Sequence, residues 1–172
     1  MINDILTAIA KKLSSDPLIK HIDEDWGQLD YYNDNPPVKF PCVLLEILQV
    51  PWNTEGRNVQ DGIMNISVTV ADIKLSNTSY NAPTAQKTNA AAIWTILEHV
   101  QKALHGWRPV ITPGTPLPDF KSLTRISTRK IKRDDGIRQF EVIYAVHCQD
   151  SCLLNTRMAH VPMPTIIVEP ES

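Results

Sequence analysis

Residues 137–149 alternate between apolar and polar side chains, and this alternation restricts the fold more than any other part of the chain. The apolar positions share one face: Phe140, Val142, Tyr144, Val146 and Cys148. Because successive side chains of a strand point to opposite faces, the segment is predicted to be a strand with one buried side. Asp134-Asp135-Gly136, just before it, has the composition of a hairpin turn. The sequence therefore predicts an antiparallel sheet that needs an apolar cover on one face.

The segment before this turn, residues 121–133, is polar on both faces. One face carries Ile126 among serine, threonine and lysine, and the other mixes leucine and isoleucine with arginine. A strand that is polar on both sides has no side to bury in its own core. We therefore expect a C-terminal β-hairpin that projects from the sheet at its turn end.

Further strands are predicted from the same kind of pattern. Residues 40–50 are apolar on both faces apart from Glu46, which is typical of a central strand. Residues 63–73 alternate as a half-buried strand does. Shorter extended pieces are expected at 18–22 and 26–32.

Two helices are predicted, one at the start of the chain and one in its middle. Residues 3–14 and 84–104 both repeat apolar side chains at helical spacing. The second helix is expected to end before Gly106 and to bury Trp94 in the core. Residues 107–119 are rich in proline and are expected to be a loop.

The order of these elements predicts an α+β fold. We expect a mostly antiparallel β-sheet with helices packed on one face, in a single domain over residues 1–150. Residues 151–172 show no periodicity and hold several prolines. They are expected to form an extended tail that orders only against something else.

Aromatic residues gather outside the regular elements. Asp25-Trp26-Gly27-Gln28-Leu29-Asp30-Tyr31-Tyr32 precedes the proline-rich 36–41, and Trp52 and Trp107 also lie at element ends. Tryptophans in such places either pack a junction or anchor an interface, and the sequence favours neither reading.

Composition excludes several classes of function. A net charge of −2 implies no general attraction to nucleic acid or to anionic membranes. No stretch approaches the ~20 apolar residues of a membrane span. Three cysteines without a secretory signal sequence favour a reducing compartment.

Metal and catalytic sites are not expected. Cys148, Cys152 and His160 offer zinc ligands, but they lack the tight pairs of structural zinc sites. No cysteine and histidine form a recognisable catalytic pair. The acidic run 23–25 lacks the ligand spacing of a calcium loop, so a solvated turn is expected there. No cofactor and no enzymatic activity are predicted.

The basic segment 121–138 is a stronger candidate for binding. It holds seven lysines and arginines against two acidic residues. A solvated arm, contact with an acidic protein surface and contact with nucleic acid are all compatible with this charge. Nucleic acid is the least favoured, because the segment has no aromatic residue for base stacking.

The chain resembles the phage tail terminator (tail completion) proteins over residues 1–150. The likeness is carried by the first helix, by Trp26-Gly27-Gln28 through Phe40-Pro41, by the apolar strand after it, by the helix at 90–104 and by the closing hairpin. Phe40-Pro41-Cys42-Val43-Leu44 is its most recognisable piece. Residues 151–172 have no counterpart.

The resemblance implies a structural protein of a phage or prophage virion. It implies a homo-oligomeric ring, commonly a hexamer, at the head-proximal end of the tail, assembled in the host cytoplasm. The ring would cap the tail tube protein, end its polymerisation and join a head-completion or neck protein. Another head–tail connector or neck component is the alternative, and a nucleic-acid-binding module using residues 121–138 is a more distant one.

Residues for subunit or partner contacts are proposed from exposure and charge. The candidate interface residues are Trp26, Tyr31, Tyr32, Trp52, Trp107, Arg125, Arg129, Lys130, Lys132 and Arg133.

Overall fold

The computed structural model describes residues 2–31, 36–54, 59–73, 78–112, 115–117 and 119–150. The helices are α1 (Ile2–Leu13), α2 (Gln28–Tyr31) and α3 (Thr84–Leu104). The strands are β1 (His21–Glu24), β2 (Cys42–Gln49), β3 (Trp52–Thr54), β4 (Gln60–Ile73), β5 (Val110–Thr112), β6 (Thr115–Pro116), β7 (Thr124–Ile131) and β8 (Ile137–Asp150). The predicted tail, residues 151–172, lies outside the described residues.

A six-stranded sheet organises the chain in the order β1-β2-β4-β8-β7, with β3 also paired to β4. Only β1 and β2 are parallel, so the sheet is mostly antiparallel, as predicted. The centre is the pair β4 and β8, which runs from Gln60 opposite Asp150 to Ile73 opposite Ile137. The predicted α+β class is confirmed.

The main core lies between one face of the sheet and the helices α1 and α3. The alternating apolar residues predicted for β8 are all buried on this face. They meet the buried stripes of the two helices: Ile5, Ala8, Ile9 and Leu13 of α1, and Ile93, Ile96, Val100 and Leu104 of α3. Each buried isoleucine, leucine or valine among them contributes about 1.5–3 kcal/mol to folding. His99 Nδ1, 2.7 Å from Asp16 Oδ2, ties α3 to the turn after α1.

Among the described residues, the opposite face of the sheet has cover at one end. There a second cluster joins Leu29 of α2 to Cys42, Leu44, Ala71 and Ile137, with Val38 and Phe40 at its margin. No helix among the described residues lies over the remainder of this face.

The extended piece expected at 26–32 is wrong, because α2 begins within it. Gly27 turns the chain with φ of +90°. The side chain of Gln28 then accepts a hydrogen bond from the Trp26 N–H and donates one to the Glu24 carbonyl, both at 2.9 Å. These local bonds favour a helical turn over a strand.

The expected projection of the C-terminal hairpin is not confirmed. β7 does pair with β8, but β8 is paired along its other edge with β4 as far as Ile137. The turn end therefore stays within the sheet. β7 is polar on both faces because it is the outermost strand and α3 does not cover it, since every β7 residue except Ile131 is exposed.

The proline-rich loop expected at 107–119 holds a small second sheet of β5 and β6. The end of α3 agrees with its prediction: the helix stops at Leu104 and Gly106 has a φ of +77°. No helix in the described part of the chain is long and apolar enough to cross a membrane.

Candidate interaction surface

Three of the predicted interface residues make contacts within the fold of one molecule. Trp52 packs on the main core and its ring lies against Gly62, where an added Cβ would meet Trp52 Cε3 at 2.8 Å. Trp107 also packs on the core, with the Lys12 ammonium 5.9 Å from its ring centroid. The third, Arg133, holds the turn between β7 and β8.

Arg133 joins the β7–β8 turn to the α2 region. Its side chain is only 10% exposed and donates to the Asp135 carboxylate at 2.6 and 2.9 Å and to the Leu29 carbonyl at 2.5 Å. A further bond reaches the Asp30 carboxylate. Hydrogen bonds from Arg133 lower the pKa of Asp135, and its own pKa is raised, chiefly by Asp135. Asp30 of α2 is therefore already paired with the basic segment 121–138 within one molecule.

Five of the remaining predicted residues lie on the surface. Trp26 is 51% exposed beside α2. Arg129 extends from β7 to the Glu141 carboxylate, and Lys130 and Lys132 are exposed near the end of the same strand. Arg125 donates to Gln101 Oε1 of α3 at 2.5 Å. Tyr31 is the last residue of α2, and Tyr32 lies outside the described residues.

A groove runs between α3 and β7, and we call it the α3–β7 groove. It consists of two concavities of about 530 and 420 Å³ that share Trp94 as a common wall. Trp94 is 52% exposed and meets the buried Phe140 edge to face, with ring centroids 4.7 Å apart. The prediction of a buried Trp94 is therefore wrong. The helix turns its core stripe toward β4 and β8, and Trp94 borders the uncovered strand β7.

One end of the α3–β7 groove is basic. Lys87, Lys130 and Arg138 line it, together with the 91% exposed Tyr80 and with Trp94. Arg138 is fixed by a hydrogen bond to the Ala90 carbonyl of α3. The lining described for this end includes no carboxylate.

One carboxylate lies beside the basic end, outside its lining. Asp72 stands opposite Arg138 in the β4–β8 pairing. Burial raises the pKa of Asp72, while the charge of Arg138 acts to lower it. The basic end therefore keeps an excess of positive charge.

The other end of the groove combines an apolar wall with polar side chains, among them Glu98 and Gln101. Ile126, which is 58% exposed, faces Trp94 and Leu97 across it. Ile126 protrudes at an irregularity between Arg125 and Ser127, where β7 holds one residue more than β8. Such a bulge re-aims a side chain. An exposed tryptophan and isoleucine in one concavity are typical of a contact surface.

The outer edge of β7 is available for pairing. Among the described strands only β8 pairs with β7. The Arg125 N–H on the opposite edge is bonded to His105 Nδ1 at 3.2 Å, and beyond it this edge presents main-chain N–H and C=O groups beside the groove. The lysines and arginines of β7 oppose pairing with a second basic strand. The edge is therefore suited to a segment of opposite charge.

Acidic residues lie on the face of the sheet that α1 and α3 leave uncovered. Burial and the charges of Asp25 and Glu141 raise the pKa of Glu46. Asp23 and Glu24 are exposed on β1, at the opposite edge of the sheet from β7. The molecule thus presents patches of unlike charge at its two sheet edges.

The cysteines do not form a described metal site. Cys148 is fully buried, its thiol lies 3.5 Å from the Gly62 carbonyl, and burial raises its pKa. Cys152 and His160, the other suggested ligands, lie outside the described residues. In the described ranges no three His, Cys, Asp or Glu side chains are grouped closely enough to hold a metal ion.

Trp94, Ile126, Tyr80 and Lys87 line the groove but were not among the interface residues predicted from the sequence. The polarity of residues 121–133 on both faces was the available signal. A strand without a buried side has no helix packed on it. The side of α3 nearest that strand must then stay open to solvent.

Comparison of the sequence with protein-family models and with curated proteins found no match. Comparison of the structure found a similar fold in a chain of the virion of a native gene transfer agent (GTA) particle, at a TM-score of 0.54 and 10% sequence identity. The similarity covers 87% of this chain and 97% of that one. At this identity the comparison establishes a shared fold.

Proposed function

We propose that this chain is a virion structural protein that acts as a tail terminator. Subunits form a head-to-tail ring, in the likeness of the family a hexamer, that caps the tail tube protein and ends its polymerisation. The exposed surface of the ring then joins a head-completion or neck protein. The proposed role is structural and includes no catalysis.

The observation that carries this proposal is the shared fold with a virion protein. Almost the whole of the GTA virion chain, 97% of it, is matched, so the likeness extends through both folds. The likeness in element order to tail terminators, seen in the sequence over residues 1–150, is consistent with it.

The distribution of charge supports head-to-tail association. A ring of identical subunits needs two different patches on each subunit. The β1 edge carries Asp23 and Glu24, and the β7 edge carries Arg125, Arg129 and Lys130. Two edges of like charge would repel each other in a two-fold dimer. The arrangement therefore favours a head-to-tail contact, which can close into a ring.

The test has two stages. The native mass of the purified protein is measured by light scattering at several concentrations, and any assembly is imaged by negative-stain microscopy. Rings that cap purified tail tubes and stop their growth support a terminator. A protein that stays monomeric with and without tubes contradicts the proposal.

A neck or head–tail connector protein is the second candidate, because the GTA virion neighbour does not by itself distinguish positions within a particle. Such a protein would form rings that leave tube growth unchanged. Capping of tail tubes therefore decides between the two.

A further inference from the structure

We infer that the α3–β7 groove receives residues 165–171 of a second copy of this chain. The inference rests on the proposed function and deepens it: the acidic tail of the neighbouring copy, in place of its β1 edge, supplies the negative charge that meets the basic β7 edge. It draws on the shape and charge of the groove and on the sequence Thr165-Ile166-Ile167-Val168-Glu169-Pro170-Glu171.

The order of side chains in the groove matches the order in this segment. Along β7, the exposed Ile126 precedes Lys130 by four positions. Along the tail, Ile167 precedes Glu171 by the same spacing. Side chains two residues apart share a face in an extended chain, so Ile167, Glu169 and Glu171 point together.

A segment lying parallel to β7 is complementary to the groove at both ends. Ile167 then contacts Ile126 and Trp94. Glu169 and Glu171 reach the basic end formed by Lys87, Lys130 and Arg138. The main chain of residues 167–169 pairs with the outer edge of β7 beyond Arg125, as peptides do when they add a strand to a sheet.

Charge excludes the simplest competitor for the same edge. A β7 strand from another copy would bring further lysines and arginines against those already there, and like charges across a strand pair are destabilising. Residues 165–171 carry two glutamates and no basic residue. They are also rich in β-branched residues, which suit a strand.

The connecting chain is long enough to reach a neighbour. β8 ends at Asp150, and residues 151–164 span up to about 45 Å when extended. A folded domain of this length has a diameter of about 40 Å. The segment can therefore cross from one subunit to the groove of the next.

A charge exchange in the full-length chain tests the contact. The groove variant carries Lys87→Glu and Lys130→Glu, and the tail variant carries Glu169→Lys and Glu171→Lys. In each variant the groove and the tail have the same sign, so we expect self-association at low salt to weaken at least about tenfold. The matched control, Lys11→Glu with Lys121→Glu, changes the net charge equally at exposed sites outside the groove and should associate as the wild type does.

Mixing the two variants identifies the source of the segment. In the mixture, each tail meets a groove of opposite sign on the other variant, so sedimentation velocity should show assembly restored to within about threefold of the wild type. If neither single variant weakens association, or if the mixture stays dissociated, the inference is overturned. Circular dichroism checks that both variants are folded.

A peptide of residues 161–172 tests the groove without requiring assembly. It is titrated into the tail variant, with tryptophan fluorescence as the signal. We expect saturable binding that is at least about tenfold weaker for the peptide with lysine at 169 and 171, and a signal that disappears in a Trp94→Phe background. Absence of binding overturns the assignment of the groove.

The charge variants and the peptide titration together distinguish a failure of this inference from a failure of the proposed function. Wild-type rings that persist in both charge variants contradict the inference and leave the ring proposal standing. A wild-type protein that binds the peptide but remains monomeric contradicts the ring and the second-copy source together.

Discussion

Single side chains connect parts of this protein that are distant in sequence, and Arg133 is the clearest case. Its guanidinium binds Asp135 in its own turn and the Leu29 carbonyl more than a hundred positions earlier. Replacing it by methionine leaves the 13% exposed carboxylate of Asp135 without its cation. We expect a loss of about 2–3 kcal/mol in the free energy of unfolding at neutral pH, measured by guanidinium denaturation.

The same variant should change the response to acid. Because Arg133 lowers the pKa of Asp135 in the folded state, the ionised carboxylate stabilises the fold above its unfolded pKa. That contribution is lost as the pH falls through the folded pKa, from about pH 4 downward. The difference between wild type and Arg133→Met should therefore shrink in acid. The exposed Lys132→Met is the control, with an expected change within about 0.5 kcal/mol. A constant difference at every pH would contradict the assignment.

Burial determines the reactivity of two cysteines. Burial raises the pKa of Cys42 to about 12 and also raises that of Cys148. Since the thiolate is the reactive species, both thiols should resist modification in the folded protein. In a Cys152→Ser variant, we expect reaction with an aromatic disulfide reagent near neutral pH to be at least about a hundredfold slower than after unfolding. Rapid reaction of either thiol in the native protein would contradict their burial.

At the scale of elements, short-range patterns predicted most of the fold. The alternation of β8, the apolar run of β2 and the stripe of α3 were all readable, because each segment carries its own periodicity. The turn at Gly27 and the site of Arg133 were not readable. These features depend on contacts between segments that are far apart in sequence, and such contacts produce no repeating pattern within either segment.

The candidate surface was predicted only in part, for a related physical reason. Charge and exposure identified Arg125 and Lys130 on β7 correctly as surface residues. Trp94 was assigned to the core because it adjoins the apolar stripe of α3. A residue that flanks the apolar stripe of a helix is buried or exposed according to where the helix crosses the sheet. Helical spacing in the sequence does not contain that information.

The packing of β3 on β4 depends on the absence of a side chain at Gly62. A Cβ there would lie 2.8 Å from Trp52 Cε3 and 3.0 Å from the Pro51 carbonyl oxygen. Gly62→Ala should push the Trp52 ring away from the core at a cost of about 1–3 kcal/mol. Thermal unfolding measures the loss of stability, and a red shift of tryptophan emission reports the movement of the Trp52 ring into solvent. Gly136→Ala, where the added Cβ meets nothing within 4 Å but φ is +79°, separates backbone strain from this steric contact.

At the scale of the whole molecule, the helices cover the sheet unevenly. α1 and α3 lie over the strands β2, β4 and β8, and no helix in the described part of the chain covers β7 or much of the opposite sheet face. The long central pair supplies a rigid frame, and the uncovered margins lie on it. The uncovered margins are the part of the molecule that the proposed assembly role would use.

Stability and assembly should therefore depend on different tryptophans. Trp26 is 51% exposed, whereas Trp52 packs on the main core. Trp26→Ala should change the free energy of unfolding by less than about 1 kcal/mol and weaken self-association at least about tenfold, as expected of an exposed interface anchor. Trp52→Ala should cost about 2–4 kcal/mol in stability. Denaturation and sedimentation on the two variants measure both quantities. A Trp26 variant that assembles as the wild type does would remove that residue from the interface, and an unchanged stability of the Trp52 variant would contradict its place in the core.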